Sequence, residues 1–243
     1  MNDILITLDI DWAPDFIIDF ASERLLESGV KATWFVTHSS SAVDRLRDIE
    51  FFELGIHPNF MPGSTQGETP EKIIDNLTAI VPNAFSSRSH RSFFWGNLPD
   101  LLVSREIGIE ASSGGLLNLA HLTPTRLNSL SGELVRFPVF WADDHELLEE
   151  TPRWDLKEYL AIPGLKIFDF HPIHLYLNSA SMEPYLNLKN SYGDFTNISK
   201  DQVEKFVNNG IGCLNLFEML IKHICETKKN YSLKDLYKEF IKS

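Results

Sequence analysis

Two carboxylates, Asp9 and Asp11, end an apolar, β-branched run in the stretch ITLDIDWAPD, residues 6–15. Like charges that close repel, and desolvation raises the cost of each. A cation between them relieves both penalties. On a strand, residues i and i+2 face the same way, with stems roughly 6.6 Å apart at ~3.3 Å per residue. That gap can hold a metal ion with its water, one acid serving as ligand and the other as a base beside the water. The alternative is a solvated strand end whose second acid caps the next helix.

Further polar groups stand where other strands should end: His57 in GIHPNF, Arg88, His90 and Arg91 in RSHR, Asp143 and Asp144 after Trp141, and Asp169, His171 and His174 in FDFHPIH. Pro58 and Pro172 exclude the helical region for the residue before them. His57 and His171 should therefore sit on extended backbone, aimed by rigid geometry. Each alone reads as readily as a structural histidine, a surface arginine or a core tryptophan. Together, two acids and three histidines at sheet exits suit a divalent ion of borderline softness with N and O ligands.

The elements that must position them alternate. Strands are expected over 1–10, 31–37, 51–58, 85–91, 109–113, 133–141 and 164–171. Helices are expected over 14–27, 39–48, 70–82 and 97–108, with Thr69 as a cap and Pro70 at the first helical position of the third. After residue 198 the pattern is helical, and Ser232 caps the last segment. The stretch 189–199 reads as a mobile loop. Such alternation implies right-handed βαβ units, a parallel sheet and a barrel-like or doubly wound architecture, with ligands at the C-terminal ends of the strands.

The 243 residues are 43% hydrophobic and 23% charged, enough for one large α/β domain. A net charge of −12 argues against a nucleic-acid partner, which needs a basic surface. Cys213 and Cys225 are too few for a disulfide framework and suggest a reduced, cytoplasmic setting. No signal peptide and no membrane-spanning run is visible.

The order of these motifs resembles the polysaccharide deacetylases of carbohydrate esterase family 4. LDIDW is similar to the family's first motif, ATWF (32–35) to its second strand, ELGIH (53–57) to the strand leading to its metal histidine, RSH (88–90) to its arginine motif, and FDFHP (168–172) to the motif carrying its acid histidine. The resemblance implies a distorted (β/α) barrel of about seven strands with extra C-terminal helices, the whole of 1–243 forming one catalytic domain. It implies a divalent metal, zinc first, with nickel, cobalt or manganese as alternatives, held by Asp11, His57 and a third ligand. The family places a second histidine four residues after the first, where this chain has Met61. His90 is the favoured replacement, on the expectation that it shares a strand face with Arg88, and Asn59 is the second choice. By the same resemblance Asp9 is the base, Arg88 its partner, and His171 the acid, kept charged by Asp169 or Asp143. Trp12 and Trp141 could form a sugar-stacking wall. The chain resembles most the branch linked with bacterial surface glycans (O-antigen or capsule), which implies removal of an N-acetyl group from an amino sugar. Hydrolysis of a small non-sugar amide, or a non-catalytic glycan-binding role permitted by Met61, are the competing readings.

Overall fold

The computed structural model describes residues 3–113, 119–193, 195 and 198–242. Among the described residues nine strands, β1 (Ile4–Asp9), β2 (Ala32–Val36), β3 (Phe52–Ile56), β4 (Ser86–Ser87), β5 (Ile109–Ser113), β6 (Thr125–Ser129), β7 (Gly132–Pro138), β8 (Trp141–Ala142) and β9 (Lys166–Phe170), form one sheet. Their order is β6-β7-β5-β4-β3-β2-β1-β9-β8. All pairings are parallel except the β6–β7 hairpin.

The chain itself shows why this sheet curls. Pro138 ends β7 near one edge and Trp141 opens β8 at the other. Three residues span at most ~10 Å, so the two sides of the sheet must nearly meet. The result is a half-barrel of nine strands, the expected distorted barrel with more strands than the seven read from sequence.

Side-chain alternation then sorts the residues. Ile4, Ile6 and Leu8 of β1, with Trp34 of β2 and Phe168 of β9, join the large apolar cluster that includes the surrounding helices. Leu5, Phe35, Ile109, Val135, Phe137 and Ile167 form a second cluster inside the curl, joined by Leu233 and Leu236. Those two leucines belong to the helix Leu233–Phe240, whose first N–H groups donate to Thr33 and Glu53. This helix therefore plugs one end. Thr7, Asp9 and Asp169 share the parity of Leu5 and Ile167, so the other end of the interior is polar.

Gly55 of β3 permits the tight strand spacing near that end. A Cβ there would lie 2.5 Å from Ser86 Oγ, 2.7 Å from the Ser86 carbonyl oxygen and 2.9 Å from the Phe35 ring. A backbone carbonyl cannot rotate away as a side chain can. Gly55→Ala should lower stability by about 1–3 kcal/mol through overpacking, read as a lower denaturation midpoint.

Several elements differ from expectation. The expected strand 85–91 shrinks to β4, followed by a 3-10 turn at His90–Ser92. The expected strand 133–141 is broken at 139–140 as the chain crosses from β7 to β8, and the hairpin strand β6 was not foreseen. Pro172–Leu177 and Glu183–Tyr192 are helices, each with proline in its first turn, where a missing N–H costs nothing. The second runs into the segment expected to be a mobile loop, of which residues 194, 196 and 197 lie outside the described residues. Among the described residues no helix is long and apolar enough to cross a membrane.

Candidate active site

β1 ends at Asp9, so Asp11 does not reach the site by strand alternation. Asp11 and Trp12 both take left-handed backbone, with φ of 38° and 56°. Non-glycine residues there cost of order 1–3 kcal/mol each and persist only when the surroundings impose them. The turn is pinned by Ala13 N–H donating to the Ile10 carbonyl at 2.7 Å and by Trp12 N–H donating to Thr37 Oγ1 at 3.1 Å. It swings the Asp11 carboxylate over the end of the sheet toward β3 and the segment after β4.

There Asp11 Oδ1 lies 3.2 Å from His57 Nε2 and 3.3 Å from His90 Nδ1, and the two ring nitrogens are 3.3 Å apart. Donors at the usual 2.0–2.1 Å from a tetrahedral ion are about 3.3 Å from each other. The triangle matches that spacing on all three sides. Asp11 Oδ1 is also buried without an aligned hydrogen-bond donor, which a native structure seldom leaves unexplained. Burial opposes charge on Asp11, yet the neighbouring His57, His90 and His171 hold its carboxyl well below the usual carboxylate range. A ligand must be deprotonated to bind. The donor set thus fits a divalent ion.

His90 reaches the triangle from the 3-10 turn, not from the strand face shared with Arg88 on which its selection rested. Its N–H donates to the Pro58 carbonyl at 2.9 Å, and Arg91 and Ser92 after it are left-handed. Asn59 lies outside the triangle. Its Oδ1 accepts from Met61 N–H at 3.0 Å. Gln66, which sequence reasoning missed, is buried and fixes this loop: its Nε2 donates to the Thr37 and His57 carbonyls at 2.9 and 3.0 Å, and its Oε1 accepts from Asn59 N–H at 2.6 Å.

Below the triangle sits a buried polar trio. Arg88 Nη1 donates to Asp9 Oδ1 at 3.0 Å, to Thr7 Oγ1 at 2.9 Å, and to Asp169 Oδ1 in a short contact. Its Nε donates to the Ala111 carbonyl at 3.0 Å, and the guanidinium lies over the Phe35 ring. Burial opposes its charge, but Asp169 and Asp9 together keep the group protonated. Asp169 is pushed well above the usual range, by burial first and by Asp9 in addition, against the pull of Arg88. Two acids thus share one cation, and burial favours a proton on Asp169. Asp9 Oδ2 lies 3.6 Å from His57 Nδ1.

On the other side, His171 stands on extended backbone at the exit of β9, as Pro172 requires. Of its two suggested partners the structure selects Asp143. His171 Nδ1 is 2.6 Å from Asp143 Oδ1, and the His171 N–H donates to Asp143 Oδ2 at 2.7 Å. Asp169 serves Arg88 instead. Burial works against an imidazolium, yet Asp143, with Asp11 at 3.7 Å, holds His171 well above its ordinary range. His171 Nε2 points toward the triangle, 3.7 Å from Asp11 Oδ2, and the upward shift favours the protonated ring.

The remaining candidates separate. Arg91, Asp144 and His145 line the rim of the cleft, about 300 Å³, that contains Asp9, Asp11, His57, Arg88, His90 and His171. Trp12 packs edge-on against His90 at the same mouth, ring centroids 5.5 Å apart. Trp141 is not part of a wall. It is buried in the core, and its Nε1 donates to Glu146 and Tyr159. His174 is buried in the helix after β9, hydrogen-bonded to Ser179, and burial lowers its pKa.

Comparison with known proteins bears on the fold and the family. The family described as WbmS-like polysaccharide deacetylase matches residues 6–189. A solved structure from Bordetella bronchiseptica, assigned as a polysaccharide deacetylase involved in O-antigen biosynthesis, is 28% identical. It superposes with a TM-score of 0.80 over 91% of this chain and 90% of that one. A structure from Mycobacterium smegmatis, also assigned as a polysaccharide deacetylase, has a TM-score of 0.54 at 15% identity over 95% and 87% of the two chains, which shows a shared fold. No curated protein matches. With the motif order, the half-barrel and the match over most of its length in agreement, the chain belongs to the WbmS-like polysaccharide deacetylase family.

Proposed function

We propose that this chain, acting as one catalytic unit, is a metal-dependent hydrolase that removes an N-acetyl group from an amino sugar during surface-glycan biosynthesis. The observation that carries the metal dependence is the Asp11–His57–His90 triangle with sides of 3.2, 3.3 and 3.3 Å. The likeness to the B. bronchiseptica protein supports the glycan assignment. Both cysteines are free, in keeping with a cytoplasmic reaction.

Asp11, His57 and His90 would hold the ion, zinc being the choice that suits this N/O set. A divalent ion held there would lower the pKa of water toward neutrality and polarise an amide carbonyl. The protein does the rest. Asp9, outside the triangle, accepts the proton of the attacking water. Arg88 orients Asp9 and supplies its counter-charge. His171 faces the attack site from the opposite side and gives its Nε2 proton to the departing amine. An amine leaves poorly unless protonated, so this transfer is worth ~10²–10⁴-fold. Asp143 fixes the ring and stabilises the imidazolium, favouring the acid form.

His171→Ala should therefore lower kcat by about 10²–10⁴-fold with ion content unchanged, since His171 is not one of the three ligands. Loss of the ion in this variant would move His171 into the ligand set.

The test of the function is acetate release from N-acetylhexosamine glycans, set beside formamides and cyclic ureides, with and without a chelator. Release from the glycan that a chelator stops and zinc restores is expected. Preference for the small amides would replace the sugar reading, and chelator-resistant release would remove the metal. The non-catalytic reading rested on Met61, and the nearness of His90 to Asp11 and His57 weighs against it.

A further inference from the structure

Asp143 accepts four hydrogen bonds. Oδ1 takes His171 Nδ1 at 2.6 Å and Asp144 N–H at 2.8 Å, and Oδ2 takes His171 N–H at 2.7 Å. The fourth donor is Cys213, whose Sγ lies 3.6 Å from Asp143 Oδ2. Three of these donors come from the adjacent residue, Asp144, or from His171, the residue being positioned. Cys213 comes from a helix 70 residues further on, beyond the segment 6–189 that the family matches.

We propose that Cys213 is a positioning residue for the acid step, its S–H completing the coordination of Asp143 and so fixing the carboxylate that orients His171. The inference rests on the reading of His171 as the acid.

The approach of the helix Cys213–Thr227 is built for this contact. Cys213 is its first residue and is fully buried, and its N–H donates to the Ser179 carbonyl at 2.9 Å. Gly212 makes the close approach feasible. A Cβ on it would lie 2.3 Å from the Asn178 carbonyl oxygen and 2.8 Å from the Ser179 carbonyl oxygen. Asn178, left-handed at the end of the helix that begins after His171, accepts from Leu214 N–H through its Oδ1 at 3.1 Å. Its Nδ2 donates to the Gly210 carbonyl at 2.8 Å. The segment carrying His171 and the segment carrying Cys213 are thus clamped to each other on both sides of the thiol.

Burial and the Asp143 charge push the Cys213 thiol well above its ordinary range. It is a donor here and not a nucleophile, because only the thiolate attacks. A thiol is a weak donor, but a buried carboxylate lone pair left without a partner is costly.

The test compares Cys213→Ser, which keeps a donor, with Cys213→Ala, which removes it. It uses an N-acetyl sugar and 4-nitrophenyl acetate, whose leaving group departs without a proton. Cys213→Ala should lower kcat on the N-acetyl sugar about 5–30-fold with little change in KM, and leave ester hydrolysis within twofold. Cys213→Ser should restore most of the amide rate. Equal loss on amide and ester, or equal behaviour of the serine and alanine variants, would overturn the proposal. A second readout does not depend on turnover. The downfield Nδ1–H proton resonance of His171 reports its bond to Asp143 directly, and it should shift in Cys213→Ala and return in Cys213→Ser. An unmoved resonance in the alanine variant overturns the positioning role whether or not His171 is the acid. A shifted and restored resonance with unaffected amide hydrolysis keeps the contact and rejects the acid reading of His171.

Discussion

Asp9→Asn should reduce turnover of an N-acetyl sugar by about 10²–10⁴-fold, the range for loss of a general base, and leave one ion per chain. The substitution keeps shape and the acceptor facing Arg88 Nη1 at 3.0 Å, but an amide cannot take a proton from water. The fold should tolerate it for a reason specific to this trio. Asp9 is one of the influences that push Asp169 upward. With its charge gone, Asp169 ionises more readily and becomes the counter-ion of Arg88, so no buried cation is left alone. Asp9 is also outside the ligand triangle. Its nearest link to the triangle is the 3.6 Å approach of Oδ2 to His57 Nδ1, and the opposite ring nitrogen faces Asp11. The check is kcat by acetate release, with metal analysis and thermal denaturation of the same preparation. Turnover within fivefold of wild type would remove Asp9 as the base, and ion loss would make it a ligand.

Much of this site was legible in the sequence, although some of the right residues were chosen for the wrong geometry. Asp9 and Asp11 converge as their spacing suggested, but not on one strand face. The alternation rule assumes that extended backbone persists, and here the strand stops at Asp9. Left-handed conformations at Asp11 and Trp12 carry little sequence signal, since aspartate enters that region more often than most residues but usually stays out of it, and tryptophan rarely enters it. His90 repeats the case. It joins the triangle from a turn whose next two residues, Arg91 and Ser92, are also left-handed. Proline rules predicted His57 and His171 well, because a fixed steric exclusion acts on the preceding residue whatever the tertiary context.

What sequence could not supply was long-range partnership. Asp143 and Asp169 were equal candidates beside His171, one on the same strand and one in a distant loop. The pairing of β8 with β9, with Ala142 opposite Asp169, decided it by placing Asp143 next to the strand exit. The crossing from β7 to β8 that makes this pairing takes only residues 139–140, and Pro138 just before them is the one local signal that the strand does not continue. Cys213 lies in an apolar-periodic stretch and is buried, and nothing in that stretch points to Asp143. Gln66 lies in a Gly- and Pro-rich loop, and its role comes from two carbonyls of different strand exits that meet its amide.

His90→Ala should abolish stoichiometric ion binding and with it nearly all hydrolysis. A third ligand at position 61 is absent in this chain, and Asn59 is turned into its own loop, so removal of His90 leaves only Asp11 and His57 of the triangle. Two ligands do not make a closed three-point site for a tetrahedral ion with an open position. The prediction has a readout independent of catalysis. An ion that binds only the folded chain stabilises it by about 2.7 kcal/mol at a concentration 100 times Kd, which for a chain of this size raises Tm by about 5–10 °C. Wild type and Asp9→Asn should both show that rise on addition of zinc, and His90→Ala and His57→Ala should not. The contrast also separates ligand loss from unfolding, because the His90 side chain is partly exposed on a turn, at 20%, and metal-free His90→Ala should melt close to metal-free wild type. If His90→Ala kept its ion and its zinc-dependent rise in Tm, the triangle would be a packing arrangement of three polar groups. The attack site would then have to be sought among the other acids and histidines of the cleft.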